Sequence, residues 1–419
     1  MRKLESRWLV CGLLFLSTAL SYYDRQIIGL LKFSLQHAFS WTEGDYGIIV
    51  MAFQLAYAVG LLFIGQAVDI FGPILALAAS VAVWSVGSAS HALAGSVLAM
   101  STARAVLGVA EAGNFPAGVS LVTRLFPAAE RALAIGLFNG GSNVGAILGP
   151  LTVPLLVIAV GWRGAFITSG LLGAFWVALW IYTFRSQISL RFAAKSQSST
   201  RGRDAVSLAK LVASRHILRQ PVVMGLCVTR LLTDSVWTVL VFWAPDFFTK
   251  HFGLKLQGLA LPLVAVFAAA ALGGICGGAS TALLISRGVQ AQQARLRVML
   301  ATSLLSGSLW FAARTTDLPM AVLLVSATAF AHQAWASNLF ALPADKLPAS
   351  QMGAVTGFTG CTGAIGSMIA AGLVGVLLDA GVGYQMIFGA AIVLYTTGWV
   401  LLRIATQLQQ TVEEFGFSQ

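Results

Sequence analysis

The sequence predicts an all-α membrane protein of twelve transmembrane helices in two six-helix halves. Three observations carry that expectation. The composition is 58% hydrophobic and only 10% charged. The mean hydropathy is +0.83, outside the range of a water-soluble domain. Apolar stretches of about 20 residues, the length a helix needs to cross a bilayer core, recur from end to end. Such long continuous runs argue against a transmembrane barrel, whose strands are short and alternate in polarity.

The first predicted span, 8–35, follows a short basic leader holding Arg2, Lys3 and Arg7. No small-residue cleavage site interrupts it, so it reads as a retained helix and not a signal peptide. Further spans follow near 46–66, 74–94 and 97–122, and the fifth, 131–157, carries Gly141, Gly145 and Gly149 just before Pro150. The sixth span, 163–186, completes an N-terminal half of residues 1–186. Residues 187–220 are the one long polar stretch, with Ser-Gln-Ser-Ser-Thr at 196–200 and a dense basic run, and they read as a cytoplasmic central loop. The C-terminal half, 221–419, contains spans near 221–249, 257–286, 295–314, 317–342, 351–379 and 382–406, and ends in a short tail. Gly273, Gly274, Gly277 and Gly278 crowd the eighth span. Small residues at such spacing let helix backbones approach closely, for static packing or for closure of a gate.

The net charge of +11 would suit a nucleic-acid binder, but the basic residues lie in alternate loops and not on one patch. Arg124, Arg131, Arg185, Arg287, Arg295 and Lys346 fall on the side shared with both termini, whereas the opposite loops hold few, among them Arg163, Lys250 and Arg314. The positive-inside bias therefore places both termini in the cytoplasm. The expected partners are the lipid bilayer and small solutes, with no nucleic acid and a monomeric chain. Cys11, Cys227, Cys276 and Cys361 all lie in apolar spans without close pairing, so neither a disulfide framework nor a metal site is expected. There is no nucleophile-base arrangement, phosphate loop or metal-ligand spacing, so neither an enzyme nor a cofactor is expected.

A charge at the bilayer centre costs about 2.5–3.5 kcal/mol on insertion scales, so each one must be paired, hydrated or functional. The first span contains Asp24 and Arg25, and the fourth contains Arg104 and Glu111. Neighbours on a helix point about 100° apart, so Asp24 and Arg25 cannot both face one partner. Arg104 and Glu111 share a face but stand about 10 Å apart along the axis, too far for a direct ion pair. The economical arrangement pairs Asp24 with Arg104 between helices, leaving Arg25 to bind an anion and Glu111 to take and release a proton. A fixed structural network of all four is the bland alternative. In the second half, Arg230 and Asp234 at i, i+4 can neutralise each other beside Trp237, which leaves packing and cavity lining both open. His332, Gln333, Trp335 and Asn338 form a polar cluster in span ten that reads as cavity lining. Lys32, near the outer end of span one, is expected to snorkel, and Tyr57 can either pack or contact a substrate.

At these residues the chain resembles the anion:cation symporter branch of the major facilitator superfamily, and within it the bacterial hexuronate transporters. The resemblance is carried by Tyr23-Asp24-Arg25-Gln26, Phe53-Gln54-Leu55-Ala56-Tyr57, Ala103-Arg104, Glu111-Ala112-Gly113-Asn114-Phe115-Pro116, Glu130-Arg131-Ala132-Leu133, Asn143-Val144-Gly145, Leu232-Thr233-Asp234, Phe242-Trp243 and Ala331-His332-Gln333. Their order along nearly the whole chain is specific where each string alone is not. The resemblance implies the major facilitator fold, residence in a bacterial cytoplasmic membrane, and proton-coupled uptake of a sugar acid by alternating access at a midplane site. It implies that Arg25 clamps the substrate carboxylate, that Tyr57 hydrogen-bonds the substrate, and that Glu111 is the proton site coupled to Asp24 and Arg104. Tyr22, Asn139 and Ser142 match cavity positions, and Asp69, Glu130 and Arg131 match gating positions. Three departures bear on the substrate and the gate. The loop Gly65-Gln66-Ala67-Val68-Asp69-Ile70-Phe71-Gly72 lacks the family's basic residue, Ser120 replaces a frequent lysine, and Arg230 and Ser235 replace a lysine and a proline. The rival expectations are another organic anion (an aldonate, aldarate, aromatic acid or dicarboxylate), proton/drug antiport, and a transporter-like sensor.

Overall fold

The computed structural model describes residues 2–195, 220–345, 347 and 352–414. Helices account for nearly all of them, and no strand occurs among the described residues. In chain order the α-helices are α1 (Arg2–Phe39), α2 (Glu43–Phe71), α3 (Pro73–Ser90), α4 (Val97–Glu111), α5 (Asn114–Leu125), α6 (Ala128–Lys195), α7 (Pro221–Phe252), α8 (Ala260–Ser286), α9 (Ala291–Leu305), α10 (Ser308–Ala312), α11 (Leu318–Ala341), α12 (Met352–Asp379) and α13 (Tyr384–Glu414). Short 3-10 turns cover His91–Leu93, Leu256–Leu259 and Leu342–Asp345.

Local chemistry sets the helix starts. The Thr42 hydroxyl accepts from the Asp45 amide at 3.1 Å while the Asp45 carboxylate accepts from the Thr42 amide at 2.9 Å, a reciprocal cap that starts α2. Ser96 caps α4 and Asp317 caps α11 in the simpler one-bond form. At about 1.5 Å per residue the 68 residues of α6 would stretch roughly 100 Å, far beyond one bilayer. Gly161, at φ 71° and ψ 174°, breaks it into two passes. Among the described residues, nine segments are long and apolar enough to cross a membrane. One of them, Leu133–Arg185, holds both passes of α6, while α1 with its charges and the broken α9–α10 pair are not among the nine.

Two boundaries differ from the expectation. Helix α6 continues to Lys195, into the segment expected as loop, and residues 196–219 lie outside the described residues. The fourth span is not one helix. It breaks at Ala112–Gly113, so that Glu111 ends α4 and Asn114 begins α5.

The chain packs as two compact units. The first comprises Met1–Ser198, Val241–Val264 and Ala371–Asp379, and the second Ser199–Leu240, Ala265–Ala370 and Ala380–Gln419, so the division cuts through α7, α8 and α12. In the first unit Phe53, Leu77, Val81, Trp84, Leu107, Phe138, Trp176 and Trp180 form the buried core. A Cβ at Gly141 would stand 2.2 Å from the Phe15 carbonyl oxygen, and one at Gly145 2.1 Å from that of Ala19. Without side chains there, α1 and α6 touch backbone to backbone, which is how helices cohere in lipid. In the second unit Gly273 and Gly277 do the same for α8 against Phe330 and Ala334 of α11. Phe63, Leu155, Phe175, Leu261 and Ile275 stay exposed, as an apolar solvent permits.

Candidate functional site

In the first unit the break between α4 and α5 presents Glu111 to α1. One carboxylate oxygen, Oε2, accepts from the Arg25 Nε at 2.7 Å and from the Ser21 hydroxyl at 2.8 Å. The other, Oε1, is buried and meets no donor. The next residues hold the break in place: Asn114 donates to the Thr18 hydroxyl at 2.9 Å and accepts from Ser17 at 2.9 Å. The Glu111 side chain is fully buried and that of Arg25 is 16% exposed. A guanidinium is weakly hydrated and is attracted to aromatic faces, and three rings surround this one. The Arg25 Cζ lies 4.7 Å from the Tyr22 ring centre, 5.1 Å from Phe53 and 4.8 Å from Tyr57.

Asp24 and Arg104 are both in this unit and both buried, yet the expected pairing between them is not made. The Asp24 Oδ1 accepts from the Ser88 hydroxyl of α3 at 2.6 Å and from the Ser169 hydroxyl of α6. Arg104 has no hydrogen-bond partner on Nε or either terminal nitrogen, and its Cζ lies 5.8 Å from the Phe53 ring centre. The physical reason is local. Two serine hydroxyls satisfy Asp24 at hydrogen-bond distance, while Arg104 stays within electrostatic range of Tyr46, Glu111, Asp24 and Arg25 without touching a carboxylate. Arg25, expected to stand free for an anion, is instead held by Glu111.

The remaining expected positions separate. Tyr22 and Tyr57 belong to the Arg25 cage. Asn139 is exposed, and Ser142 donates back to the Asn139 carbonyl at 2.7 Å, so neither joins the cage through a described contact. Glu130 pairs with Arg7 at 2.9 Å, tying the start of α6 to α1, and Arg131 donates to the Phe126 carbonyl at 3.1 Å. The Asp69 side chain lies outside the described residues. Lys32 does not snorkel: its side chain is 1% exposed because Glu43 and Asp246 stand 2.5 and 2.9 Å from its Nζ.

The second unit has its own polar face. Arg230 donates to the Asp234 Oδ2 through Nε at 3.0 Å and a terminal nitrogen at 2.8 Å, and it lies 4.8 Å over the Phe340 ring. His332 stacks on Trp237 with ring centres 4.6 Å apart, and its Nδ1 is hydrogen-bonded to the Tyr395 hydroxyl. Asn338 is fully buried. It donates to the Gly277 carbonyl at 3.1 Å and accepts from Thr281 at 2.5 Å, two bonds that tie α11 to α8, and it donates to the Ala334 carbonyl of its own helix at 2.9 Å. Gln333 is half-buried on the same helix.

Sequence reasoning missed Ser21, Ser88, Ser169, Thr18 and Arg7. The hydroxyls are small polar residues in largely apolar spans, the one available signal, but their partners lie on distant segments. No group of three or more His, Cys, Asp or Glu suited to a metal occurs among the described residues.

Comparison with known proteins gives the family and the fold. The family profile of the Major Facilitator Superfamily matches residues 14–371. The hexuronate transporter of Escherichia coli (strain K12) is 29% identical over 420 residues, covering 99% of this chain and 97% of its own length. The galacturonate transporter of Dickeya chrysanthemi is 30% identical over 277 residues, covering 65% of this chain and 80% of its own. Among solved structures, a bacterial homolog of the human lysosomal transporter Spinster, inward-facing and occupied, superposes with a TM-score of 0.76 at 18% identity, over 96% of this chain and 97% of that one. That last likeness concerns the fold.

Proposed function

The chain belongs to the Major Facilitator Superfamily, as a membrane-spanning transporter and not an enzyme, and we propose that it imports a sugar-acid anion, a hexuronate first of all, together with a proton. The names of its relatives support the class of substrate. The observation that carries the coupling is the 2.7 Å ion pair between Arg25 and Glu111, with the second Glu111 oxygen bare.

Arg25 already has a carboxylate. A substrate carboxylate takes that place when Glu111 lets go, and protonation at the bare oxygen makes Glu111 let go by removing its charge. Before the exchange the pair consists of a guanidinium and a carboxylate; afterwards it is the same guanidinium, the substrate carboxylate and a neutral Glu111. The buried net charge is unchanged. Anion without proton, or proton without anion, leaves one uncompensated charge, at about 2.5–3.5 kcal/mol on insertion scales. That corresponds to roughly a hundredfold preference for joint binding at 1.36 kcal/mol per tenfold. One proton per monoanion is electrically neutral, so accumulation follows the pH gradient and not the membrane potential. Arg104, close to both carboxylates in electrostatic range and fixed to neither, supplies a positive field that offsets Asp24 while Glu111 changes charge. The faces of Tyr22, Phe53 and Tyr57 around Arg25 suit the flat, partly apolar face of a sugar ring. Those rings equally favour a second reading, an aromatic acid.

The test is uptake into proteoliposomes under an imposed pH gradient. Labelled glucuronate is expected to accumulate and to be displaced by galacturonate, with weaker competition from gluconate and none from glucose. Competition by glucose equal to that by galacturonate overturns the anion clamp, and displacement by benzoate but not galacturonate selects the aromatic reading. The protein is placed by this proposal in a bacterial cytoplasmic membrane with both termini inside.

A further inference from the structure

The second unit carries a cation that the transport cycle above does not use, Arg314, at the end the loop charges assign to the outside. It follows a break in the chain, where α9 ends at Leu305 and α10 begins at Ser308. Hydroxyls fix the break. Ser306 donates to the Ser303 carbonyl at 2.6 Å, and Ser308 donates to the Leu324 carbonyl of α11 at 2.9 Å and shares a 2.8 Å hydrogen bond with the Thr328 hydroxyl. Beside the break a groove of about 530 Å³ runs between α9, α10, α11 and α13, lined by Leu304, Leu305, Trp310, Phe311, Leu324 and Ile392. Leu304 and Phe311 are more than half exposed. Gly389 leaves the α13 wall without a side chain, and a Cβ there would stand 2.9 Å from the Trp310 ring.

A second cavity, of about 440 Å³, lies on the loop that joins α12 to α13 and is lined by Gly381, Val382, Gly383, Gln385 and Met386. Gln385 and Gly389 are one turn apart on the same face of α13, so the two spaces are neighbours. Arg314 stands at both. Its Cζ lies 4.1 Å from the Trp310 ring centre, and its Nε and a terminal nitrogen donate to the Gln385 side-chain oxygen at 3.0 and 3.2 Å. Ring and amide orient the guanidinium, but neither answers its charge. No ion pair to Arg314 occurs among the described residues. Asp317, the acid nearest to it in sequence, accepts from the Met320 amide to cap α11.

An exposed arginine at the end of a membrane span lies at the level of the lipid phosphates, and a tryptophan beside it belongs to the same interface. An apolar groove running inward from that level accepts hydrocarbon. One ligand satisfies both features only if it carries an anion and a long apolar chain together: a free anion leaves the groove unfilled, and an apolar helix leaves the cation unanswered. We propose that the groove, the loop cavity and Arg314 form a site for one anionic glycerophospholipid of the outer leaflet, with an acyl chain along Trp310 and Phe311, the phosphate on Arg314 and the rest of the head in the loop cavity. A lipid seated there bridges the broken α9–α10 pair to α13. This inference rests on the chain spanning a membrane and not on the identity of the transported solute.

The experiment titrates the detergent-purified full chain with dioleoyl phosphatidylglycerol or dioleoyl phosphatidylcholine and counts bound lipids by native mass spectrometry. The parent is expected to bind one phosphatidylglycerol about tenfold more tightly than phosphatidylcholine. Arg314→Gln, a change at an exposed side chain, is expected to abolish that preference. Arg403→Gln, which removes the cation stacked on Trp399 toward the other end of α13, is expected to keep it. Gly389→Leu fills the groove and is expected to weaken both lipids about tenfold, the worth of roughly two buried CH₂ groups. If that variant does not fold, dihexanoyl phosphatidylglycerol on the parent takes its place, keeping the head and shortening the chains, with the same loss expected. Inorganic phosphate in excess is expected to leave the lipid bound. Four results each overturn the proposal: equal binding of the two lipids by the parent, an undiminished preference in Arg314→Gln, a preference lost in Arg403→Gln, and displacement by inorganic phosphate. Parent-like affinity when the groove is filled or the chains are shortened overturns it too.

Discussion

The buried charges of the first unit and those of the second are built on opposite plans. Arg25 and Glu111 come from different helices, α1 and α4, and Glu111 keeps one oxygen bare beside an Arg104 that has no hydrogen-bond partner. Arg230 and Asp234 sit one turn apart on α7 and share two hydrogen bonds. A pair within one helix stays neutral however that helix moves. A pair between helices changes when either helix moves, when a proton arrives or when an anion competes. The first kind is tolerated by a membrane; the second can respond to what enters a site. On the function proposed here, the coupling chemistry belongs to the first unit and the second is a stable polar face.

Breaking the sensing pair should have the largest effect. Arg25→Gln leaves no cation for the substrate carboxylate, and substrate binding measured by competition is expected to weaken by roughly a hundredfold or more, the size of a lost charge-assisted contact plus a stranded carboxylate. A weakening under threefold would mean that Arg25 is a packing residue. The second-unit pair should behave as a closed account: Arg230→Met and Asp234→Asn singly are each expected to cut uptake by about tenfold, because each strands one charge, while the double variant recovers to within about threefold of the parent. Strict additivity would show that the two side chains act separately on the substrate, and would dissolve the contrast between the units. Smaller still is the effect on Asp24. Ser169→Ala removes one of its two hydroxyl donors and leaves the Ser88 bond in place. Arg104 is then expected to close on Asp24, seen as a shifted pH profile of uptake with little change in KM. An unchanged profile would make Ser169 irrelevant to coupling.

Much of the fold was legible because membrane helices announce themselves by length and apolarity. The division of α6 at Gly161 fell where two spans were expected. The break after Glu111 was not legible, since a lone glycine in an apolar span ordinarily signals packing; only the Ser17, Thr18 and Asn114 hydrogen bonds around it show why the chain turns there. The buried charges were also legible as buried, because ions in apolar spans are rare. Their partners were not. Helix periodicity says which residues share a face on one helix, but Asp24 meets Ser88 and Ser169 from two others. Lys32 looked like a snorkelling residue for the same reason, because Asp246 stands more than 200 positions away in sequence. Asn338 read as cavity lining from its polarity alone, whereas two of its hydrogen bonds join α11 to α8 and the third is to its own helix.

The measurement closest to the coupling is Glu111→Gln, assayed two ways in the same proteoliposomes. Exchange of labelled for unlabelled substrate at equal pH requires only that Arg25 bind the anion, while concentration of substrate down a pH gradient requires that a proton travel with it. With Glu111 permanently neutral, exchange is expected to persist within about threefold of the parent and pH-driven accumulation to vanish, because the empty carrier returns with Arg25 uncompensated. A Glu111→Gln protein that still concentrates substrate under a pH gradient would contradict the account at its centre.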